Sequence, residues 1–82
     1  MALITAKKLI KKESNNHKVH GAVSSTYFVF PENATDPRQK ILQIDTYGSI
    51  NRVNQGKTSQ SMQFDYESAK IFYELLVKEF DF

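Results

Sequence analysis

The stretch that decides the fold is residues 40–82, which read KILQIDTYGS (40–49), INRVNQGK (50–57), TSQSMQFD (58–65) and YESAKIFYELLVKEFDF (66–82). We interpret these pieces in turn as a strand, a polar basic loop, a second strand and a terminal helix. Apolar residues recur with period two at positions 42 and 44 and at 62 and 64, as on one face of a strand. Pairing the two strands therefore predicts an apolar sheet face for the helix and an opposite face of Gln, Ser, Asp and Tyr.

The terminal helix combines a start signal with a regular apolar period. Asp65 is a suitable N-cap, and Glu67 places an acid in the first turn, where the helix dipole favours it. At 100° per residue one apolar stripe is predicted to pack on the sheet, and its members are Tyr66, Ala69, Phe72, Tyr73, Leu76, Val77 and Phe80.

A second apolar strip on the same helix consists of Ile71, Leu75 and Phe82. It lies about 200–240° round the helix from Ala69. Either a neighbouring loop or a second molecule has to cover it, and exposed apolar patches usually mark interfaces. We therefore expect a homodimer whose interface includes Ile71, Leu75 and Phe82.

Two segments before residue 40 are expected to extend the same sheet. Residues 20–30, HGAVSSTYFVF, are rich in β-branched and aromatic types and have apolar residues on both faces, which predicts a strand inside the sheet. A nine-residue loop, 31–39, then forms a long hairpin. Residues 3–12 are ambiguous, because their periodicity favours a helix. We nevertheless expect a strand there, since the next segment needs an antiparallel neighbour.

Composition restricts the class of protein further. Eighty-two residues make a single domain, 1–82, and a lone monomer of this size is only marginally stable. The absence of cysteine excludes disulfides and any cysteine-based metal site or nucleophile. His17 and His20 lie at a turn without a third ligand nearby, so we expect no metal and no cofactor.

The start of the chain and its hydropathy bear on localisation. No segment approaches the roughly 20 apolar residues that span a bilayer. In MALITAKKLIKK the lysines follow a short apolar run, which is the wrong order for a secretory signal. We expect a cytoplasmic protein.

Charge is small in total and uneven in distribution. Residues 1–57 carry nine Lys or Arg against four acids, a net of +5, whereas residues 65–82 carry two Lys against five acids, a net of −3. This asymmetry predicts a basic sheet side and an acidic helix side. A basic side favours polyanion binding, and the alternative is a solvated surface that keeps a small basic protein soluble.

Catalysis is not expected. Asp45 has no partnered carboxylate or lysine at nuclease-like spacing, and Ser59 and Ser61 have no histidine placed to activate them. The run 56–58, Gly-Lys-Thr, superficially resembles a phosphate-binding loop. Such a loop requires an earlier glycine, where Ile50 stands, and a following helix.

Residues 40–80 contain, in order, a strand with Ile44-x-x-Tyr47, a loop ending in Gly56-Lys57, a second strand and an acid-capped helix. In this order of elements they resemble the transcriptional positive cofactor four family. These coactivators bind single-stranded nucleic acid. The resemblance implies a curved antiparallel sheet and a dimer formed through the C-terminal helices and strand edges. It also implies that Tyr47 corresponds to the family's strand aromatic and Lys57 to its first basic residue after the loop glycine. Thr58 and Gly48 depart from the pattern, since a basic residue and an aromatic are usual there.

The predicted fold class is therefore α+β, a curved antiparallel β-sheet of about four strands followed by a C-terminal α-helix (ββββα). The predicted function is non-enzymatic binding of single-stranded DNA or RNA by a homodimer, as an accessory factor in transcription or in replication and repair. Cations would track the phosphates and aromatic rings would stack on bases. The candidate binding residues are Lys7, Lys8, Lys11, Lys12, Tyr27, Arg38, Lys40, Tyr47, Arg52 and Lys57.

A second hypothesis remains open. A small protein–protein interaction module or inhibitor would use the polar sheet face, an exposed edge strand or the strip of Ile71, Leu75 and Phe82. No feature of the sequence discriminates against it.

Overall fold

The computed structural model describes residues 1–14, 17–48 and 58–82. These ranges contain four strands and one α-helix, which are β1 (Ala2–Ile4), β2 (Ser25–Phe30), β3 (Ile41–Tyr47), β4 (Thr58–Phe64) and α1 (Tyr66–Phe80). Two 3₁₀ turns, Ala6–Lys8 and Pro37–Gln39, precede β2 and β3 respectively. The predicted α+β class, with four strands followed by a C-terminal helix, is confirmed.

The sheet is mixed, with strand order β1-β4-β3-β2. The pairs β2–β3 and β3–β4 are antiparallel, as predicted, whereas β1 runs parallel to β4. The expectation that the first segment is the antiparallel neighbour of β2 is therefore wrong. The parallel pairing sets Ala2 opposite Met62 and Ile4 opposite Phe64, so apolar residues of β1 join the apolar face of β4.

The segment 3–12 is neither a full strand nor a continuous helix. The strand ends at Ile4, and the 3₁₀ turn Ala6–Lys8 follows directly. This turn contacts α1. The helical spacing of apolar residues in the sequence thus corresponds to a single short turn held against the helix.

Strand β2 lies at an edge of the sheet, so the prediction that it is an interior strand is wrong. Regular structure begins at Ser25 and does not include residues 20–24. Five of its six residues are exposed, and only Phe30 is half-buried. Apolar side chains on both faces indicated a covered strand, but within the described residues β3 alone pairs with it.

The predicted division of β3 and β4 into two faces is confirmed by their register. One face, which we call the helix face, carries the opposed pairs Leu42–Phe64 and Ile44–Met62. The other face, which we call the polar face, carries Gln43–Gln63 and Asp45–Ser61.

Helix α1 begins as the sequence predicted and packs on the helix face. The Asp65 side chain accepts a hydrogen bond from the backbone N–H of Ser68 at 2.9 Å, which is the expected N-cap. The rings of Phe64 and Phe72 stack with centroids 5.0 Å apart. Phe64, only 3% exposed, is the one buried hydrophobic side chain among the described residues.

The buried side of α1 is rotated from the predicted stripe. Tyr73 and Phe80 were expected against the sheet but are 66% and 65% exposed, and Tyr66 is also exposed. Ser68 is instead completely buried, and its hydroxyl donates to the Asp65 carbonyl at 3.3 Å. Because a small side chain with a satisfied hydroxyl can face the sheet closely, the helix turns towards Ser68 and Phe72.

No helix within the described ranges has the length and apolar character needed to cross a bilayer.

Candidate nucleic-acid interface

The polar face carries a continuous row of side-chain hydrogen bonds across β3 and β4. Gln63 Nε2 donates to Gln43 Oε1 at 2.9 Å, and Gln43 Nε2 donates in turn to Asp45 Oδ1 at 2.8 Å. Ser61 Oγ donates to the same Asp45 oxygen at 2.6 Å. Among the side chains that the structure describes, no buried nitrogen or oxygen lacks a partner. The four side chains therefore hold one another in fixed orientations, and we call them the polar ladder.

The polar ladder favours the ionised form of Asp45. The hydrogen bond from Ser61, and then that from Gln43, lowers the pKa of the Asp45 carboxyl below its ordinary value of 3.8. Both bonds stabilise the charged form, while partial desolvation acts in the opposite direction. At neutral pH the polar face thus presents a carboxylate, which can only accept hydrogen bonds.

Aromatic side chains flank the polar ladder. Tyr47 follows Asp45 by two residues on β3, and its hydroxyl lies 3.0 Å from Thr26 Oγ1 on β2. Phe28 is opposite Gln43 in the β2–β3 register, so it shares the polar face, and it is 45% exposed. The Phe30 ring lies beside it, with centroids 5.7 Å apart. The polar ladder therefore lies between Tyr47 at one end and Phe28 at the β2 side.

Tyr27 lies on the other side of the sheet. It is opposite Ile44, which places it on the helix face, and it is 75% exposed. The two predicted stacking residues, Tyr27 and Tyr47, therefore do not belong to one surface. Phe28 is the aromatic residue that accompanies Tyr47.

The predicted cations cluster around α1 more than along the polar ladder. Lys7 and Lys8 belong to the 3₁₀ turn that contacts the helix, and both are exposed. The Arg38 guanidinium carbon lies 5.8 Å from the centroid of the Tyr66 ring at the start of α1. Lys40 is exposed directly before β3.

The remaining predicted cations fall into two groups. Lys11 and Lys12 are exposed in an irregular segment that follows the first 3₁₀ turn. Arg52 and Lys57 lie outside the described residues, as do the other residues of 49–57.

The polar ladder was only partly visible in the sequence. Alternation placed Gln43, Asp45, Ser61 and Gln63 on one face, but none of these was proposed as a binding residue. Phe28 was also missed as a binding residue, because the register that sets it opposite Gln43 depends on a pairing across ten intervening residues, 31–40.

The predicted dimer residues are exposed on α1 and just beyond it. Ile71 and Leu75 are 40% and 39% exposed, and Phe82 is 81% exposed and stacks on Phe80 with centroids 5.7 Å apart. Their exposure leaves them accessible to a partner.

The described residues contain no group of three or more His, Cys, Asp or Glu side chains that could hold a metal ion. His17 Nδ1 lies 2.9 Å from Ser14 Oγ.

In comparisons with known proteins, no protein-family model, curated protein or solved structure matches this chain.

Proposed function

We propose that this chain is a non-enzymatic, single-stranded nucleic-acid-binding protein that acts as a cytoplasmic homodimer, as an accessory factor in transcription or in replication and repair. The observation that supports it most is the polar face. There the polar ladder is flanked by Tyr47 and the exposed Phe28, on the side of the sheet opposite α1. Resemblance to the positive cofactor four family over residues 40–80 agrees with this function.

The polar face offers the two kinds of contact that single-strand binding makes with bases, which are aromatic stacking and hydrogen bonding. Every base has a π-face, so aromatic rings that stack on it bind without demanding one sequence. Phe28 offers such a ring, and the Tyr47 ring is held in place by the contact of its hydroxyl with Thr26. The amide and hydroxyl groups of the polar ladder offer hydrogen bonds to base edges.

The phosphates require cations, which the chain supplies at the margins. Lys40 is exposed directly before β3, and Arg38 precedes it by two residues, beside Tyr66 at the start of α1. Lys7, Lys8, Lys11 and Lys12 add positive charge to the N-terminal segment. Lysine side chains are long and flexible, so they suit contacts with phosphates that fix position without reading sequence.

The homodimer is supported by the sparse core. A compact monomer of this mass exposes about 5,000 Å². This 9.4 kDa chain exposes 7439 Å². A standard interface buries about 800 Å² of surface per partner. This is less than the difference between the area that the chain exposes and the area expected for a compact monomer. Ile71, Leu75 and Phe82 are apolar side chains that a second copy would cover.

A protein-interaction module is the second candidate, and the edge strand favours it. β2 presents six residues of backbone at the margin of the sheet, with exposed Tyr27, Phe28 and Val29. An exposed edge can accept an added strand from another protein, with backbone hydrogen bonds providing the affinity. In that case Phe28 and Tyr27 would contact a peptide from opposite faces of β2.

Neighbouring aromatic residues on β2 allow a matched test. Phe28→Ala removes a ring from the polar face, whereas Tyr27→Ala removes a ring from the helix face of the same strand. Because stacking contributes about 1–3 kcal/mol per base, Phe28→Ala should weaken single-strand binding by roughly tenfold. Tyr27→Ala should leave it nearly unchanged. Equal losses in the two variants, with both folded by circular dichroism, would contradict binding on the polar face.

A further inference from the structure

We infer that Asp45 selects among bases on the polar face, so that cytosine is bound in preference to thymine or uracil. The inference rests on the proposed function and specifies the ligand chemistry of the same surface. Three features support it: the carboxylate oxygen that the polar ladder occupies, the aromatic residues beside Asp45, and the hydrogen-bonding groups of each base.

The hydrogen bonds of the polar ladder meet at one carboxylate oxygen. Ser61 Oγ and Gln43 Nε2 both donate to Asp45 Oδ1, at 2.6 and 2.8 Å. An oxygen that accepts two hydrogen bonds has little capacity for a third. Of the hydrogen bonds that the described side chains make to Asp45, none falls on Oδ2. With respect to the described side chains, this second oxygen is therefore the acceptor that remains for a ligand.

The surroundings of Asp45 bring a stacked base towards that oxygen. The register shifts between Thr46 and Tyr47, but the Tyr47 hydroxyl still lies beside Thr26, the residue opposite Asp45 on β2. Phe28 is a diagonal neighbour of Asp45 through its pairing with Gln43. Diagonal neighbours in a sheet are about 7–8 Å apart, roughly the width of a pyrimidine with its exocyclic groups. A base stacked on either ring can turn its hydrogen-bonding edge towards the neighbouring carboxylate.

The charge of the carboxylate then decides which edge is accepted. Cytosine carries an amino group, N4–H₂, which can donate to a carboxylate. Thymine carries the acceptor O4 at the same position, and its N3–H lies between two carbonyl oxygens. If either carbonyl oxygen approaches Asp45, its lone pairs are repelled by the negative charge of the carboxylate. The hydrogen bonds from Ser61 and Gln43 favour the ionised carboxylate, so the base meets a negative charge at neutral pH.

The experiment compares oligodeoxycytidine with oligodeoxythymidine of equal length by fluorescence anisotropy, at mildly alkaline pH, where cytosine strands remain single. A hydrogen bond to a charged group contributes about 1.5–3 kcal/mol, so the wild-type protein should bind the cytosine strand roughly tenfold or more tightly. Asp45→Asn keeps the size of the side chain and adds a donor, which should abolish or invert the preference. Asp36→Asn makes the same chemical change at the N-cap of the second 3₁₀ turn and should leave the preference intact.

Each outcome is decisive. A wild-type preference for thymine, equal affinity for the two strands, or a cytosine preference that survives in Asp45→Asn would overturn the base selection while leaving single-strand binding in place. An Asp36→Asn variant that loses the preference as Asp45→Asn does would assign the effect to net charge and also overturn it. Absence of binding to both strands would overturn the proposed function itself.

Discussion

Asp45 and Ser61 face each other directly across β3 and β4, and the Ser61 hydroxyl donates to the Asp45 carboxylate at 2.6 Å. A short hydrogen bond to a charged acceptor is stronger than one between neutral groups. It joins the two central strands on the face opposite the helix, where apolar packing does not hold them. Gln43 and Gln63 extend the connection by one further pair.

The first prediction concerns the ionisation of Asp45. Ser61→Ala removes the larger of the two effects that lower the pKa of this carboxyl. In the wild-type protein the pKa should lie below 3.8, and in Ser61→Ala it should move back towards that value. Side-chain carbon chemical shifts followed by NMR during an acid titration measure both. An unchanged pKa in the variant would show that the hydrogen bond from Ser61 does not stabilise the charged form.

The second prediction is the effect of this ionisation on folding stability. Because the folded-state pKa of Asp45 is lowered, its stabilising effect is present above the unfolded-state pKa and is lost as the pH falls through the folded-state pKa. Asp45→Asn should therefore lower the free energy of unfolding at neutral pH, and the difference from wild type should shrink in acid. Urea denaturation at several pH values measures it. A difference that grows on acidification would contradict the sign of the shift.

The third prediction concerns the start of α1. Asp65→Ala removes the acceptor for the Ser68 backbone N–H, and loss of such a cap costs about 1 kcal/mol. The melting temperature should fall by roughly 4–8 °C for a domain of this size. Asp65→Ser, which keeps a capping oxygen, should recover most of the loss. The three melting curves have to be recorded at one protein concentration, since a dimer's stability depends on it. Equal melting temperatures for wild type and Asp65→Ala would show that the cap is not needed.

The fourth prediction tests which side of α1 forms the dimer. Ile71→Asp combined with Leu75→Asp places two charges in the proposed interface and should yield a monomer by light scattering. Tyr73→Asp places a charge on the other exposed side of the helix, away from Phe82, and should leave the dimer intact. A wild-type monomer at micromolar concentration would refute the dimer. Dissociation by Tyr73→Asp alone would move the interface to the side of the helix that carries Tyr73.

The parts of the fold that the sequence predicted well are those set by local signals. β3 and β4 were predicted from period-two alternation, and α1 from the capping oxygen of Asp65 together with helical spacing. These signals act within a few residues, so they do not depend on the rest of the chain. The division of β3 and β4 into a helix face and a polar face follows from the same alternation.

The parts that were wrong depend on contacts between distant segments. The direction of β1 is set by pairing with β4, which lies some sixty residues later, and the edge position of β2 follows from that pairing. The rotation of α1 is set by Phe64 and by the small Ser68, because an apolar stripe as wide as the one on this helix fits several rotations. Phe28 could be assigned to the candidate site only once the β2–β3 register was known.

The central claim is that this protein binds single-stranded nucleic acid, and it is tested most directly by fluorescence anisotropy with a mixed-sequence oligonucleotide and its duplex. We predict tighter binding of the single strand. About four phosphate contacts would give a slope near −3 in a plot of log affinity against log salt concentration. Equal or tighter binding of the duplex, or no binding of the single strand at low salt, would contradict the account and favour the protein-interaction module.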